Sequence, residues 1–280
     1  MREIHTDVIV ETVKKLCVEA NLKLPGDVCD ALKRAREEEQ SEVARGVIGD
    51  LEQNLVAAEN LGVPVCQDTG MAVIFLELGQ EVHVTGGDLY QAIQKGVGRG
   101  YIEGRLRLSV VGDPINRVNT GDNTPAVIHT QITAGDRLRI TVAPKGFGSE
   151  NMSAIRMFTP SATRGDIVSF VTDTVLKAGS KPCPPVIVGV GIGGDFEYSA
   201  ILAKRALLRN LNQRNSSDYY RQLEQDMLDQ INRLGIGPQG FGGTVTALAV
   251  NIETFATHIA GLPVAVNMGC HVTRHRSAVL

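Results

Sequence analysis

The hydrophobic pattern of the chain changes after Cys66, and this change constrains the fold more than any other feature. Before it, apolar residues such as Ile9, Val13 and Leu16 recur at the spacing of one helix face, which predicts helices. After it, short apolar runs such as Met71–Leu78 alternate with helical segments, which predicts strands packed against helices. The sequence therefore predicts a mixed α/β (α+β) fold, in which a helical N-terminal segment precedes mixed β-sheet layers packed with helices.

No low-complexity linker or internal repeat marks a domain boundary in the 280 residues. A chain of this length can bury one large core. We expect a single domain over 1-280, made of a helical N-terminal segment, 1-60, and a mixed α/β part, 61-280.

Charge and cysteine content narrow the class of protein. The net charge of -3 offers no electrostatic basis for binding nucleic acid or an anionic membrane. The first residues contain no apolar signal core, and no apolar run approaches the roughly 18 residues of a membrane span. The five cysteines are sparse and odd in number, which indicates reduced thiols in the cytoplasm. We expect a cytoplasmic protein that binds neither nucleic acid nor a membrane.

Local patterns give more detailed predictions. Gly79-Gln80 between two apolar runs indicates a hairpin. Leu106–Val110 has the composition of a strand, and the residues after Asn151, including Ile155 and Phe158, are expected to form a helix. Asp88 is placed to cap another helix.

The segment Pro64–Gly70 carries a thiol, an amide and a carboxylate on consecutive residues, Cys66, Gln67 and Asp68. It follows a predicted helix and precedes a predicted buried strand. Pro64 restricts the backbone before the polar residues, and Gly70 permits an unusual backbone angle after them. Polar residues at such junctions often build functional sites on a rigid scaffold. The same residues also fit a helix-to-strand turn with one buried thiol.

Cys66, Cys183 and Cys270 each lie in a predicted loop at a strand end, close to Pro or Gly. Cys17 and Cys29 instead lie on helical faces, where packing is expected. Three loop thiols could hold an iron–sulfur cluster, with one iron of a four-iron cube left open as a Lewis acid. The spacing contains no short CxxC signature, so spacing alone favours three separate reduced thiols over a cluster.

A Gly189-x-Gly191-x-x-Gly194 string separates a predicted strand from a predicted helix, which is the position of a dinucleotide-binding turn. No strand ending in Asp or Glu follows about 20 residues later, as that fingerprint requires. A Gly-rich turn that permits close backbone approach is the favoured interpretation, and a nucleotide-binding oxidoreductase is a weaker alternative.

Five longer motifs are distributed along the chain: Val63–Gly70, Asn119–Ala126, Pro144–Asn151, Lys181–Pro185 and His258–Cys270. These motifs resemble those of the class I, iron–sulfur fumarases and the related L-tartrate dehydratases. The similarity extends over nearly the whole chain, and the chain length resembles that of the separate alpha subunit in the two-subunit form.

This resemblance implies that Cys66, Cys183 and Cys270 ligate a [4Fe-4S] cluster with one open iron. It also implies that Asp68 takes part in proton transfer and that His258 lies near the substrate, where both are catalytic candidates.

The resemblance further implies a set of substrate-binding residues. Gln67 lies beside the substrate, and Arg107 binds a substrate carboxylate through its planar guanidinium. Arg105 is the alternative to Arg107, because residues two positions apart in a strand lie on the same face. Gly146 and Gly148 would present backbone N–H groups to a carboxylate.

The implied reaction is the reversible hydration of fumarate to L-malate. The alternatives are an L-tartrate dehydratase alpha subunit, which would form oxaloacetate from tartrate, and an iron–sulfur scaffold without catalysis. The chain ends ten residues after Cys270, whereas the resemblance implies that the family's C-terminal region supplies a threonine base and further Arg and Lys contacts to substrate. We therefore expect the chain to be inactive alone and to require a separate beta subunit, in an alpha2beta2-type assembly.

Overall fold

The computed structural model describes all residues from Met1 to Leu280. Its helices are α1 (Thr6–Leu22), α2 (Gly26–Glu38), α3 (Glu42–Leu61), α4 (Leu89–Glu103), α5 (Phe147–Glu150), α6 (Arg164–Ala178), α7 (Phe196–Ala206) and α8 (Asp218–Asn232). Its strands are β1 (Arg2–His5), β2 (Met71–Gly79), β3 (Val82–Thr85), β4 (Val127–Thr133), β5 (Leu138–Lys145), β6 (Ala154–Phe158), β7 (Val186–Gly194), β8 (Ala247–Thr257), β9 (Leu262–Gly269) and β10 (Arg276–Val279). This composition confirms the mixed α/β class.

The chain divides into two compact units, each with its own sheet. Unit 1 comprises Met1–Pro25, Leu55–Phe147 and Arg274–Leu280, and unit 2 comprises Gly26–Asn54 and Gly148–Thr273. The expectation of one domain over 1-280 stays a prediction.

Unit 1 is built on a four-stranded sheet in the order β10-β5-β2-β4. Strand β2 pairs parallel with β4 and antiparallel with β5, and β10 pairs antiparallel with β5. Helices α1 and α4 pack together and bury one apolar side of the sheet, so that Ile9, Ile74 and Ile93 are fully buried. This apolar stripe is the one that the spacing of α1 predicts.

Unit 2 is built on a second four-stranded sheet in the order β6-β9-β7-β8. Strand β7 pairs parallel with β8 and antiparallel with β9, and β9 pairs antiparallel with β6. Helices α6 and α8 contribute Val171 and Met227 to a core that also contains Val188 from β7. The Thr163 side chain caps α6 in a reciprocal capping box with Asp166, which satisfies the first N–H groups of that helix.

The Gly189–Gly194 segment is not a turn, because all of it belongs to strand β7. A Cβ atom on Gly189 would lie 2.1 Å from the Ala203 carbonyl oxygen of α7, and one on Gly191 would lie 2.0 Å from that of Ser199. The glycines therefore let α7 lie directly against β7. The close backbone approach is as predicted, but its partner is a helix.

Three local predictions are wrong. Strand β3 pairs with β1 rather than with β2, so Gly79-Gln80 does not close a hairpin. Leu106–Val110 forms no strand. Residues after Asn151 form strand β6, which pairs with β9, because the register with β9 determines their conformation more than their local pattern does. Asp88, by contrast, does cap α4, since its side chain accepts a hydrogen bond from the Gln91 N–H.

A buried carboxylate joins the end of α2 to the start of β8 within unit 2. Glu39 is 1% exposed and accepts hydrogen bonds from the backbone N–H groups of Ser41, Thr244 and Val245. Burial favours the neutral carboxyl, but these N–H donors outweigh it and hold the pKa of Glu39 below its usual value.

None of the helices combines the length and apolarity that crossing a membrane requires.

The tight packing of α7 on β7 predicts the effect of adding one methyl group. Gly191→Ala should lower the free energy of unfolding by about 2 kcal/mol or more, because the strand and helix must separate to admit the Cβ atom. Gly46→Ala in α3 is the matched control, since nothing lies within 4 Å of its Cβ position; it should stabilise the chain by about 0.5–1 kcal/mol. Urea unfolding of both variants measures these changes.

The Glu39 contacts predict a component of acid sensitivity. A depressed pKa in the folded chain adds stability that is complete above the unfolded-state pKa of about 4.3 and is lost as the pH falls through the lower folded value. Glu39→Gln should therefore be less stable than the parent at pH 7, and this difference should shrink as the pH falls below about 4. Urea midpoints measured from pH 7 to pH 3 test this, and a constant difference would contradict it.

Candidate active site

The carboxylate of Asp68 is oriented by two backbone groups of unit 1. Its Oδ1 atom accepts a hydrogen bond from the Gly70 N–H at 3.0 Å, and its Oδ2 atom accepts one from the Phe147 N–H at 2.9 Å. Asp68 is half-buried. Because each carboxylate oxygen has two lone-pair positions, each retains one that these contacts do not use.

Neighbouring residues leave little room around this carboxylate. A Cβ atom on Gly146 would lie 3.0 Å from Asp68 Oδ2, so a residue without a side chain suits that position. The Asp68 N–H donates to Cys66 Sγ at 3.4 Å, and such N–H donors also suit a thiolate ligand. The Gln67 side chain is exposed, and its Oε1 atom lies 3.4 Å from Cys66 Sγ.

Thr69 fixes the backbone of Arg107 next to this motif. The Thr69 hydroxyl accepts from the Arg107 N–H at 2.9 Å and donates to the Arg107 carbonyl at 3.2 Å. The Arg107 side chain is exposed. Arg105 is also exposed, with a backbone φ of 52°. Thr69 is itself 2% exposed, so this double hydrogen bond is shielded from water.

Three buried side chains bind the backbone carbonyls of residues 68, 69 and 70. Arg274 donates from Nη2 to the Asp68 carbonyl at 2.6 Å. The Tyr101 hydroxyl lies 2.9 Å from the Thr69 carbonyl and 3.1 Å from the Gly70 carbonyl. Asn123 donates from Nδ2 to the Gly70 carbonyl at 3.1 Å. These side chains come from the C-terminal segment, from α4 and from the loop before β4, all within unit 1.

Asn123 and Arg274 also extend this network to other segments of unit 1. The Asn123 Oδ1 atom accepts from the N–H groups of Ser109 and Val110, at 2.6 and 3.1 Å. The Arg274 Nε atom donates to Asn21 Oδ1 at 3.1 Å. Arg274 is only 4% exposed, and charged residues are almost never buried to this extent unless they are paired.

Burial determines the protonation of two groups beside this network. Burial raises the pKa of the Tyr101 phenol, so its hydroxyl stays protonated and able to donate. Burial also raises the pKa of the Cys17 thiol to about 12, as expected for a packing residue. All five cysteines are thiols rather than disulfides, as predicted.

In unit 2, the loops that carry Cys183 and Cys270 lie next to each other. The His271 N–H donates to the Cys183 carbonyl at 3.3 Å, and the Thr273 N–H donates to the Cys270 carbonyl at 3.0 Å. Cys183 adopts a left-handed backbone conformation with φ of 55°, which is uncommon for a residue other than glycine. Its side chain is exposed and that of Cys270 is partly exposed.

The other predicted site residues of unit 2 lie in surface segments. His258 is exposed in the turn between β8 and β9. Its Nδ1 atom accepts from the Ala260 N–H at 3.1 Å, so a neutral His258 ring carries its proton on Nε2. Gly148 is exposed within the short helix α5.

The donor chemistry of these residues suits an iron–sulfur cluster. Thiolate sulfur is the ligand that such clusters take, and three cysteines occupy loops rather than core positions. Cys66 belongs to unit 1, whereas Cys183 and Cys270 belong to unit 2. Within neither unit does a group of three or more His, Cys, Asp or Glu side chains form a metal site.

Comparisons with known proteins match the chain over almost its full length. The family model described as Fumarate hydratase (Fumerase) matches residues 10–279. A Methanocaldococcus jannaschii protein named "Putative L(+)-tartrate dehydratase subunit alpha" is 39% identical over 275 residues, which is 96% of this chain and 95% of that protein. The L(+)-tartrate dehydratase subunit alpha of Escherichia coli K12 is 32% identical over 270 residues, or 95% and 88% of the two chains.

These matches define the chain as part of a hydro-lyase, an enzyme that adds or removes water at a carbon–carbon bond. More particularly, the chain belongs to the fumarate hydratase family, which confirms the resemblance found in the sequence motifs.

The Thr69 contacts predict a loss of stability when the hydroxyl is removed. Thr69→Val keeps the shape of the side chain but leaves the partly buried Arg107 N–H without its acceptor, which should cost about 1–3 kcal/mol of unfolding free energy. Thr69→Ser retains the hydroxyl and should cost clearly less than Thr69→Val. Urea unfolding compares the two variants, and equal losses would contradict the assigned role of the hydroxyl.

Proposed function

We propose that this chain is the alpha subunit of a [4Fe-4S]-dependent hydro-lyase that hydrates fumarate reversibly to L-malate together with a separate beta subunit. The observation that carries the proposal is the Asp68 carboxylate, held by two N–H groups between Cys66 and the Thr69–Arg107 contact. The full-length family match supports the reaction class, and the name "subunit alpha" of its relatives supports the partner.

In this proposal, Cys66, Cys183 and Cys270 hold the cluster. When bound, the cluster supplies an open iron that acts as a Lewis acid towards oxygen atoms of the substrate. The residues of the chain would bind and orient the substrate and move the proton.

The substrate is a dianion, so each of its carboxylates needs a cation or N–H donors. The exposed guanidinium of Arg107 suits one carboxylate, and the backbone N–H groups of Gly146 and Gly148 suit a carboxylate as well. Gln67 is exposed next to Asp68 and can donate or accept a further hydrogen bond through its amide.

Proton transfer is assigned to Asp68. In the dehydration direction its carboxylate would accept the proton lost from the carbon next to a substrate carboxylate, and the C–H electron pair would form the carbon–carbon double bond. The hydroxyl group would leave the neighbouring carbon as hydroxide, which is released with that proton as water. The lone pairs that Gly70 and Phe147 do not use can receive this proton. His258, with its Nε2 hydrogen, is the second catalytic candidate and would donate a hydrogen bond to substrate.

A second substrate, L(+)-tartrate, has one specific observation in its favour. The relatives described above carry the name tartrate dehydratase. Dehydration of tartrate to oxaloacetate uses the same proton removal and the same departure of a hydroxyl group. The residues assigned here suit both four-carbon dicarboxylates.

The test is an anaerobic assay of the reconstituted chain, with and without a candidate beta subunit, on fumarate and on L(+)-tartrate separately. We expect activity only when the beta subunit is present, and the substrate with the higher kcat/KM identifies the enzyme. Full activity from this chain alone would contradict the requirement for a partner. No activity on either substrate by the complete complex would contradict the proposed function.

A carboxylate pair tests the role of Asp68 within this assay. Asp68→Asn should lower kcat by about 100-fold or more, within the usual range for loss of an acid–base group, with iron content unchanged. Asp113→Asn is the matched control, because Asp113 Oδ1 also accepts two backbone N–H groups, from Ile115 and Asn116. Its kcat should equal that of the parent enzyme, and equal losses in both variants would contradict the assignment of Asp68.

A further inference from the structure

We propose that Tyr101 is a positioning residue for the Asp68 carboxylate, acting through the peptide group between Thr69 and Gly70, with Asn123 and Arg274 holding the two adjoining peptide groups. This inference rests on the proposed function for the catalytic role of Asp68. Its geometry rests on unit 1 alone.

The planarity of one peptide group links the Tyr101 hydroxyl to the Asp68 carboxylate. The carbonyl of Thr69 and the N–H of Gly70 belong to the same planar unit and point in opposite directions. The carbonyl binds the Tyr101 hydroxyl at 2.9 Å, and the N–H binds Asp68 Oδ1 at 3.0 Å. Rotation of this plane would break both contacts together. The buried hydroxyl therefore fixes the direction of the N–H that orients the carboxylate.

The adjoining peptide groups are held in the same way. Arg274 binds the Asp68 carbonyl, and Asn123 binds the Gly70 carbonyl. The first residue of β2 that pairs with a neighbouring strand is Met71, so the strand ladder does not supply partners for these carbonyls. Side chains take over this task, which buried carbonyls require.

A purely structural role for Tyr101 is the competing explanation. Its ring is fully buried in the core of unit 1 and would stabilise the unit even without its hydroxyl. Tyr101→Phe separates the two roles, because it retains the ring and removes only the hydroxyl. Loss of a buried hydrogen bond should lower stability in either case, so stability alone does not decide.

Thr174→Val is the matched control. The Thr174 side chain is also buried, and its hydroxyl donates to a backbone carbonyl, that of Phe170 at 2.7 Å, but it lies in α6 of unit 2. Both variants lose one hydroxyl-to-carbonyl hydrogen bond of a buried side chain and keep the bulk of that side chain. Only Tyr101→Phe should change the reaction.

The experiment measures kcat, KM and iron content of the complete reconstituted complex at a temperature where each variant is folded. We expect Tyr101→Phe to lower kcat about tenfold, with KM within about twofold and iron content unchanged, while Thr174→Val retains the parent kcat. An unchanged kcat in folded Tyr101→Phe, or an equal fall in both variants, would overturn the proposal.

A second measurement is independent of catalysis. Amide hydrogen exchange at Gly70, followed by NMR in the full chain without substrate, should accelerate about tenfold in Tyr101→Phe and stay unchanged in Thr174→Val. Unchanged exchange in Tyr101→Phe would overturn the positioning role. An inactive parent complex with accelerated exchange in the variant would instead reject the proposed function and retain the positioning geometry.

Arg274→Lys provides the same test if Tyr101→Phe fails to fold. It keeps the buried positive charge but removes the planar fork that reaches both the Asp68 carbonyl and Asn21. A lower kcat with unchanged iron content supports the network, and an unchanged kcat overturns it.

Discussion

The peptide group between Thr69 and Gly70 determines the direction of the Asp68 carboxylate. Its carbonyl is bound by the buried Tyr101 hydroxyl and its N–H by Asp68 Oδ1. Tyr101 is buried because α4, the helix that contains it, packs on α1 and on the sheet around β2. Hydrogen bonds therefore connect a buried side chain of the unit 1 core to the candidate catalytic carboxylate. Such directional hydrogen bonds are stronger where water is excluded.

In unit 2, the main local features are a close helix–strand contact and two neighbouring cysteine loops. The glycines of β7 let α7 approach the strand closely, and the two cysteine loops lie beside one another through the His271 N–H and the Cys183 carbonyl. The exposed thiol of Cys183 is held on a left-handed backbone. In the proposed enzyme, these two loops would provide two of the three cluster ligands. The third proposed ligand, Cys66, belongs to unit 1.

Features encoded by local sequence were predictable. The α1 stripe and the Asp88 cap depend on residues a few positions apart, and the long motifs identified the family. Tyr101, Asn123 and Arg274 were missed because their role depends on contacts with carbonyls distant in the chain. Only the residue type of Asn123 could have indicated its position. Its backbone φ is 64°, a conformation that Asn adopts more readily than most residues.

The wrong local predictions have a common physical cause. Strand β3 and strand β6 are defined by partners far away in sequence, β1 and β9, and local patterns carry no information about such pairing. Glycines at 189 and 191 were assigned to a turn because glycine permits turns, whereas here they remove side chains from a helix–strand contact. Glycine can either permit a turn or allow a neighbouring element to pack closely. The position of the neighbouring helix is needed to tell these two roles apart.

Iron and acid-labile sulfide per chain, measured after anaerobic reconstitution of the chain together with its partner subunit, test the proposed cluster most directly. We expect about four iron and four sulfide per chain in the parent and in Cys29→Ser, whose cysteine lies on α2. We expect loss of the cluster when Cys66, Cys183 and Cys270 are all changed to Ser. A cluster retained in that triple variant, or none in the folded parent complex, would contradict the proposal that these three cysteines hold a [4Fe-4S] cluster.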